Sequence, residues 1–113
     1  MPMRLSTNRP DGKTAVISLE GEVDLQQSPD VRRELLQCLA DRFDVVVDMA
    51  GVAYIDSSGV ACLVEAYQTA RTFGVRFSLA AVSAAALRVL RLARLDQVFV
   101  IETDISSALA AKD

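Results

Sequence analysis

The stretch AYIDSSGVACLVEAYQ, Ala53 to Gln68, decides the fold because it joins a strand to the longest helix of the chain. The preceding FDVVVDM is a short continuous apolar run, which is typical of a strand buried on both faces. From Val60 onward apolar residues recur at helical spacing, and Gly74 suits a left-handed C-terminal cap. We therefore predict a strand, a loop and a helix. The four residues Asp56 to Gly59 hold more helix-capping side chains than one helix needs.

The rest of the chain alternates in the same way. Residues 1–13 contain a candidate edge strand and an Asp-Gly turn, and TAVISLEG then completes a hairpin. Helix and strand patterns follow in alternation to the C-terminus. Ser28 is the expected N-cap of the first helix, with Pro29 at its first helical position, and Ser83 and Asp104 are the expected caps of the third and fourth helices. We therefore predict a single α/β domain over residues 1–113, with about four helices and a mixed sheet of four or five strands.

The composition fits a globular domain without an enzymatic centre. The 113 residues are 51% hydrophobic and carry a net charge of −3. The absence of histidine excludes Ser-His-Asp and Cys-His enzymes and removes the commonest transition-metal ligand. Neither of the glycine-rich spacings that hold phosphates occurs. We expect no catalytic residue, no cofactor and no metal site. One weak candidate for Mg²⁺ or acid–base chemistry is the pair Asp48 and Asp56, if both follow the central strand.

The same composition narrows the cellular setting. There is no basic stripe of the kind that nucleic-acid binding needs, and no apolar run reaches the ~18 residues of a membrane span. The N-terminus lacks the apolar region of a secretory signal. We therefore expect a cytoplasmic protein that neither binds nucleic acid nor inserts into a membrane. In that reducing compartment Cys38 and Cys62 are expected to be buried thiols rather than a disulfide.

Two further groups of side chains have ordinary explanations at this stage. Arg88, Arg91 and Arg94 are spaced three apart, so they follow one side of the third helix, and a solvated helix face is favoured over an anion site. Tyr54 and Tyr67 are expected to be packing residues with a hydrated hydroxyl.

From the residues alone, DSSG has two open explanations. In the first, Ser57 or Ser58 caps the second helix and Asp56 complements its dipole, which contributes about 1 kcal/mol. In the second, a serine at the helix N-terminus carries a phosphate received by backbone N–H groups, and Gly59 leaves room for another macromolecule or a nucleotide. A phosphate adds about −1.5 to −2 of charge beside Asp56. A docking surface at this point would then be switched by repulsion without refolding.

Three segments resemble the STAS-domain family of anti-sigma-factor antagonists: GEVD at 21–24, YIDSSG at 54–59 and VSAAALRVLRLARLDQVF at 82–99. The likeness runs from about residue 14 to residue 110, and DSSG between a strand and a helix is its most specific part. It implies a small non-enzymatic regulator that binds a partner-switching serine kinase with its nucleotide, the kinase being itself an anti-sigma factor. Unphosphorylated antagonist binds the kinase and frees sigma factor, whereas phosphorylated antagonist is released.

The resemblance also implies roles for single residues. Ser57, the first serine after the aspartate, is the expected phosphoacceptor, and Asp24 of GEVD is expected to lie near it and to contact the partner or its nucleotide. The other expected partner-binding residues are Asp56, Ser58, Gly59, Val60 and Ala61. Many members carry Leu-Gly where this chain has Val60-Ala61, and the methyl of Ala61 changes how closely a kinase approaches. We expect a monomer or a weak dimer.

A second function is compatible with the same resemblance. The family also includes STAS subunits of lipid-transport ABC systems, which bind a cytoplasmic ATPase and take no covalent phosphate. Because one fold hosts several functions, the resemblance in fold leaves this alternative open.

Overall fold

The computed structural model describes residues 3–111, in which strands and helices alternate. The strands are β1 (Arg4–Asn8), β2 (Thr14–Val23), β3 (Asp44–Ile55), β4 (Phe77–Ala80) and β5 (Val100–Glu102). The helices are α1 (Ser28–Ala40), α2 (Ser57–Phe73), α3 (Ala84–Leu92) and α4 (Ile105–Ala110), with a short 3-10 turn at Leu95–Gln97. This arrangement confirms the predicted α/β fold with its five-stranded mixed sheet and four helices.

The sheet is built outward from its two longest strands. Its order is β1-β2-β3-β4-β5. β1 and β2 are antiparallel and form the predicted N-terminal hairpin, with Gly12 in the turn at a φ of 75°. The other neighbouring pairs are parallel, as strands joined by crossover helices must be. The β2–β3 ladder runs from Thr14↔Asp44 to Val23↔Ile55, so the ends of these two strands lie side by side.

Helices cover both faces of the central strands. The main core joins inward-facing residues of the strands to α1, α2 and α3; among its largest fully buried side chains are Ile17, Leu35, Leu63, Leu79 and Leu90. Alternate strand residues point to the opposite face, where Val16, Val46 and Ala80 pack against Ala108 of α4. The apolar run in β3 is therefore buried on both faces, as its composition predicts.

β3 is longer than predicted, and its length separates two aspartates. The sequence predicts a loop after Met49, but β3 continues to Ile55 because β2 runs alongside it through two register shifts. Asp48 therefore lies within the strand, where its Oδ2 accepts a 3.0 Å hydrogen bond from Ser18 Oγ. Asp56 follows the end of the strand. Because an extended strand rises ~3.3 Å per residue, Asp56 lies more than about 20 Å from Asp48 along it. The expected Asp48–Asp56 pair does not form, so the candidate Mg²⁺ or acid–base site is wrong.

α1 begins one residue earlier than predicted. Ser28 is the first helical residue and Pro29 the second, and Gln27 occupies the N-cap position without a capping side-chain hydrogen bond. The carboxylate that organises this turn belongs to Asp24, whose Oδ1 accepts from the N–H groups of Gln26 (3.1 Å) and Gln27 (3.2 Å). The aspartate of GEVD thus holds the loop between β2 and α1.

The C-terminal third is more irregular than the sequence predicts. β4 is only four residues long, and the apolar-rich segment DQVFVIE, whose composition predicts a strand from Asp96 to Glu102, begins in a 3-10 turn and becomes extended only at Val100. α3 ends at Leu92, so Arg94 lies beyond the helix in a left-handed conformation. The predicted caps are confirmed: Ser83 accepts from the N–H of Ala86, Asp104 accepts from the N–H of Ser107, and Gly74 ends α2 at a φ of 71°.

Both cysteines are free, buried thiols, as predicted. The pKa values of Cys38 and Cys62 are both raised, mainly because burial disfavours the charged thiolate. Neither thiol has the lowered pKa of a reactive cysteine.

Gly59 sets how closely α2 approaches the sheet. It is buried, and a Cβ at this position would lie 2.8 Å from Ile55 Cγ1 and 2.9 Å from both Cγ1 and the carbonyl oxygen of Val23. Its missing side chain therefore makes room for β2 and β3 of the same chain. This packing role within the chain is separate from contact with a partner, and the expectation that Gly59 leaves room for one stays a prediction.

We predict that Gly59→Ala lowers the free energy of unfolding by about 1–3 kcal/mol, because the added methyl overpacks the junction between α2 and the strands. Helix propensity alone would change stability in the opposite direction, by up to about 1 kcal/mol. Urea denaturation of the purified variant measures the effect. The control is Ala61→Gly on the exposed side of the same helix, which should cost no more than about 1 kcal/mol. A Gly59→Ala protein as stable as the wild type would contradict this packing argument.

Candidate functional site

The candidate site lies where β2 and β3 end together. Val23 and Ile55 are register partners, and the next residue in each strand's continuation is an aspartate, Asp24 or Asp56. The N–H of Asp56 donates to the carbonyl oxygen of Val23 at 3.2 Å, which fixes the start of α2 to the end of β2. The structure therefore brings GEVD and DSSG together, as the resemblance implies.

Asp56, rather than either serine, is the N-cap of α2. Its Oδ1 accepts from the N–H groups of Ser58 (2.9 Å) and Gly59 (3.1 Å) and from Ser58 Oγ (2.6 Å). The prediction that Ser57 or Ser58 caps the helix is wrong, because the aspartate is the residue with the extended backbone that precedes the helix. The Ser58 hydroxyl is a donor in this cap, whereas the Ser57 hydroxyl takes no part in it.

These hydrogen bonds keep Asp56 ionised. They lower its pKa, with the Ser58 hydroxyl as the largest cause and the N–H groups of Gly59, Ser58 and Leu25 as further ones. The site thus carries a fixed negative charge at the helix N-terminus at neutral pH.

Ser57 differs from Ser58 in both exposure and bonding. Ser57 is the first residue of α2 and is exposed. Within residues 3–111 its hydroxyl makes no hydrogen bond, whereas the hydroxyl of Ser58 is held by Asp56. Of the two serines, Ser57 is therefore the one whose oxygen is free to react or to meet another molecule.

The cap also changes how a phosphate on Ser57 would be received. The N–H groups of Ser58 and Gly59 already donate to Asp56. The cap therefore takes two of the N–H groups at this helix start, and the expectation that backbone N–H groups receive phosphate oxygens stays a prediction. A phosphate on Ser57 would add charge next to an ionised carboxylate, which favours repulsion over accommodation.

The remaining predicted partner residues differ in accessibility. Asp24, Asp56, Ser58 and Val60 are half-buried, and Ala61 is exposed one turn along α2. Together with the exposed Ser57 they border a surface at the helix N-terminus, while the buried Gly59 supports that surface from beneath.

The sequence did not predict that two large apolar side chains near the ends of β2 and β3 would be exposed. Leu25, directly after GEVD, is 73% exposed, and Tyr54, directly before Ile55, is 50% exposed. The packing role predicted for Tyr54 is therefore wrong, whereas Tyr67 packs as predicted, edge-on against Phe99 at 5.7 Å. The sequence offers one indication of this exposure for Leu25. It is a large apolar residue in the short loop that follows GEVD, where a side chain is seldom buried.

Residues 3–111 offer neither a metal centre nor a membrane-spanning helix. No group of three or more His, Cys, Asp or Glu side chains in this range is placed to hold a metal ion. None of the helices described is long and apolar enough to span a membrane.

We predict that Asp56→Ala lowers the free energy of unfolding by about 1–2 kcal/mol at neutral pH, since α2 loses its cap. The pKa of Asp56 is lower in the folded state, so its stabilising effect is present above the unfolded-state value of about 3.9 and is lost as the pH falls through the folded-state pKa. Urea denaturation of both proteins at about pH 7 and about pH 3 should show the difference shrinking in acid.

Asp41→Ala serves as the control for this experiment. Asp41 is exposed, and its carboxylate accepts only from the Gln37 side chain, so its removal should cost less than about 0.5 kcal/mol. If the free energies of unfolding of the wild type and Asp56→Ala differ by the same amount at both pH values, the charge of Asp56 does not contribute to stability, which would contradict this prediction.

Comparison with known proteins identifies the family of the chain and structures with a similar fold. The family described as "Mlab, STAS domain" matches residues 6–102. An anti-sigma factor antagonist from Mycobacterium paratuberculosis has a similar structure, with 23% identity, a TM-score of 0.83 and coverage of 96% of this chain and 92% of that one. SpoIIAA in its unphosphorylated form is 18% identical, with a TM-score of 0.82 and coverage of 94% and 93%. The Bacillus cell fate determinant SpoIIAA in the phosphorylated form is also 18% identical, with a TM-score of 0.76 and coverage of 94% and 96%. The structures show a shared fold, and because the family match spans most of the chain, the protein belongs to the STAS-domain family.

Proposed function

We propose that this protein is an anti-sigma-factor antagonist that works by partner switching. In this proposal it binds a serine kinase that is itself an anti-sigma factor, and so frees a sigma factor for transcription. Phosphorylation of Ser57 by that kinase ends the complex. The observation that carries the proposal is the exposed hydroxyl of Ser57, which makes no hydrogen bond within residues 3–111 and lies next to the ionised carboxylate of Asp56 in the sequence.

The geometry favours Ser57 over Ser58 as the phosphoacceptor. In the transfer, the Ser57 oxygen forms a bond to the γ-phosphorus of ATP, the bond to the β-phosphate oxygen breaks, and ADP leaves. The hydroxyl proton must pass to a base, which in this proposal is a residue of the kinase. The kinase therefore supplies both nucleotide and base, and this protein acts as substrate and binding module rather than as an enzyme.

The expected mechanism of release is electrostatic. The new group adds about −1.5 to −2 of charge at a helix start where Asp56 is already ionised and Asp24 lies in the adjoining loop. A kinase surface that fits the neutral hydroxyl would meet a doubly charged, strongly hydrated group instead. Release then follows from repulsion and desolvation at one point, with the core unchanged.

The same surface supplies the expected contacts. Ser57 and Ala61 are exposed, and Asp24, Asp56, Ser58 and Val60 are accessible in part. Leu25 adds an exposed apolar side chain whose backbone N–H contributes to the lowered pKa of Asp56. A polar acceptor loop next to a large apolar side chain is the kind of surface that protein interfaces use.

Two further considerations support the proposal. One of the similar structures is that of SpoIIAA in the phosphorylated form, which is consistent with phosphate on this fold. The reaction needs a kinase and ATP, so we place the complex in the cytoplasm.

We predict that Ser57→Ala keeps its affinity for the partner kinase but incorporates no phosphate, so its complex persists in ATP. Ser57→Asp should bind at least about tenfold more weakly, because it places a permanent charge at the contact. The measurements are pull-down from native lysate, identification of the captured protein, titration of the purified kinase, and peptide mass mapping after incubation with ATP.

Ser58→Ala is the matched control, since it removes the hydroxyl that Asp56 holds. It should still take phosphate on Ser57. Equal affinity of the wild type and Ser57→Asp would contradict the switch, and phosphate found on Ser58 would contradict the assignment. Capture of a transporter ATPase, with no phosphate gained, would favour the ABC-system alternative instead.

A further inference from the structure

A groove on the outer side of α3 has a distinctive composition. Ala84, Leu87, Arg88, Arg91 and Leu92 line this shallow groove of about 400 Å³. The helix buries Ala86 and Leu90 in the core, so Arg88 and Leu92 lie on its opposite side. Leu92 is 82% exposed, more than any other large apolar side chain within residues 3–111. We call this surface, together with Arg94, the α3 face.

The arginines of the α3 face are unpaired. Within residues 3–111, the side chains of Arg88, Arg91 and Arg94 form no hydrogen bond, ion pair or ring contact. Most other arginines of the chain are engaged by their neighbours, although the exposed Arg4 in the edge strand β1 also has no partner within residues 3–111. Arg32 and Arg33 pair with carboxylates. The guanidinium groups of three others lie over aromatic rings: Arg9, Arg42 and Arg71. The fold itself thus gives the three arginines of the α3 face nothing to bind.

Arg94 is held in a costly backbone conformation. Its φ is 60° and its ψ is 22°, in the left-handed region where glycine or asparagine is more easily accommodated. Arg42 has a similar φ of 66°, but its guanidinium lies 3.9 Å from the centre of the Phe73 ring. Arg94 has no such contact within the described chain, so its guanidinium is available to another molecule.

The charge of the α3 face contrasts with the rest of the protein. None of the 15 acidic residues of the chain lies between residues 83 and 95. The negative end of the helix dipole accounts for a cation in the last turn, where Arg91 sits. It accounts neither for Arg88 in the middle of the helix nor for the exposure of Leu92.

We propose that the α3 face docks an acidic segment of a partner protein. The arginines would pair with carboxylates spaced along that segment, and the apolar side chains of Leu87 and Leu92 would receive one apolar anchor residue between them. An anionic membrane fits less well, because Leu87 and Leu92 are the large apolar side chains that line this groove and two leucines insert little area. This surface is separate from Ser57, and the proposal does not depend on the proposed function.

The test uses a synthetic peptide titrated into the isotope-labelled full chain while chemical shifts are followed by NMR. The peptide is an amphipathic helix with glutamates three and four residues apart and one phenylalanine. We expect shift changes centred on residues 84–95 and an affinity that falls as salt is added. Arg88→Glu with Arg91→Glu should weaken binding at least about tenfold, and Leu92→Ser at least about threefold. Arg88→Gln with Arg91→Gln, which keeps good helix formers, should also weaken binding and guards against misfolding.

Three controls make the result decisive. Arg4→Glu with Lys13→Glu changes the net charge equally on exposed residues elsewhere and should leave affinity within about twofold. A peptide with serine in place of phenylalanine should bind more weakly. Ser57→Asp should bind the acidic peptide as the wild type does, which separates this proposal from the kinase switch.

Absence of localised shifts, or equal loss of affinity in the Arg4/Lys13 control, would overturn the proposal. Binding to phosphatidylglycerol vesicles through the same residues, without binding to the peptide, would also overturn it.

Discussion

The carboxylate of Asp56 is the point on which the candidate site depends. Asp56 lies between the end of β3 and the start of α2, and its carboxylate accepts from the N–H groups of Ser58 and Gly59. The backbone N–H of Asp56 donates to the carbonyl oxygen of Val23. The close approach of α2 to the strands requires Gly59, because any side chain there would meet Val23 and Ile55. One aspartate and one glycine thus fix the direction in which the first turn of the longest helix faces.

The division of labour between the two serines follows from that constraint. Ser58 is the second helical residue, within reach of the capping carboxylate, and its hydroxyl becomes part of the cap. Ser57 is the first helical residue and remains exposed with its hydroxyl unbonded within the described chain. Since the cap occupies the N–H groups of Ser58 and Gly59, added charge on Ser57 has less local compensation. An arrangement that stabilises the helix therefore also makes its tip sensitive to one phosphate.

The sequence predicts best those features that are decided locally. Ser83, Asp104 and Gly74 cap their helices as predicted, because a cap depends on a few neighbouring residues. The length of β3 was missed because it depends on pairing with β2, more than twenty residues away in the chain. The assignment of the cap to Asp56 was missed because all three polar residues of DSSG are acceptable caps by type, and only the backbone conformation selects one. The α3 arginines are exposed, as the predicted solvated face requires, but sequence spacing reveals neither the exposure of Leu92 beside them nor that Arg94 lies beyond the helix.

The central claim is that a phosphate on Ser57 ends binding without unfolding the domain. Calorimetric titration of the partner kinase with this protein, before and after stoichiometric phosphorylation and with the same nucleotide present, tests it most directly. The account predicts a loss of affinity of at least about tenfold, while backbone chemical shifts change only near the GEVD and DSSG segments. Unchanged affinity, or a loss accompanied by shift changes throughout the core, would contradict it.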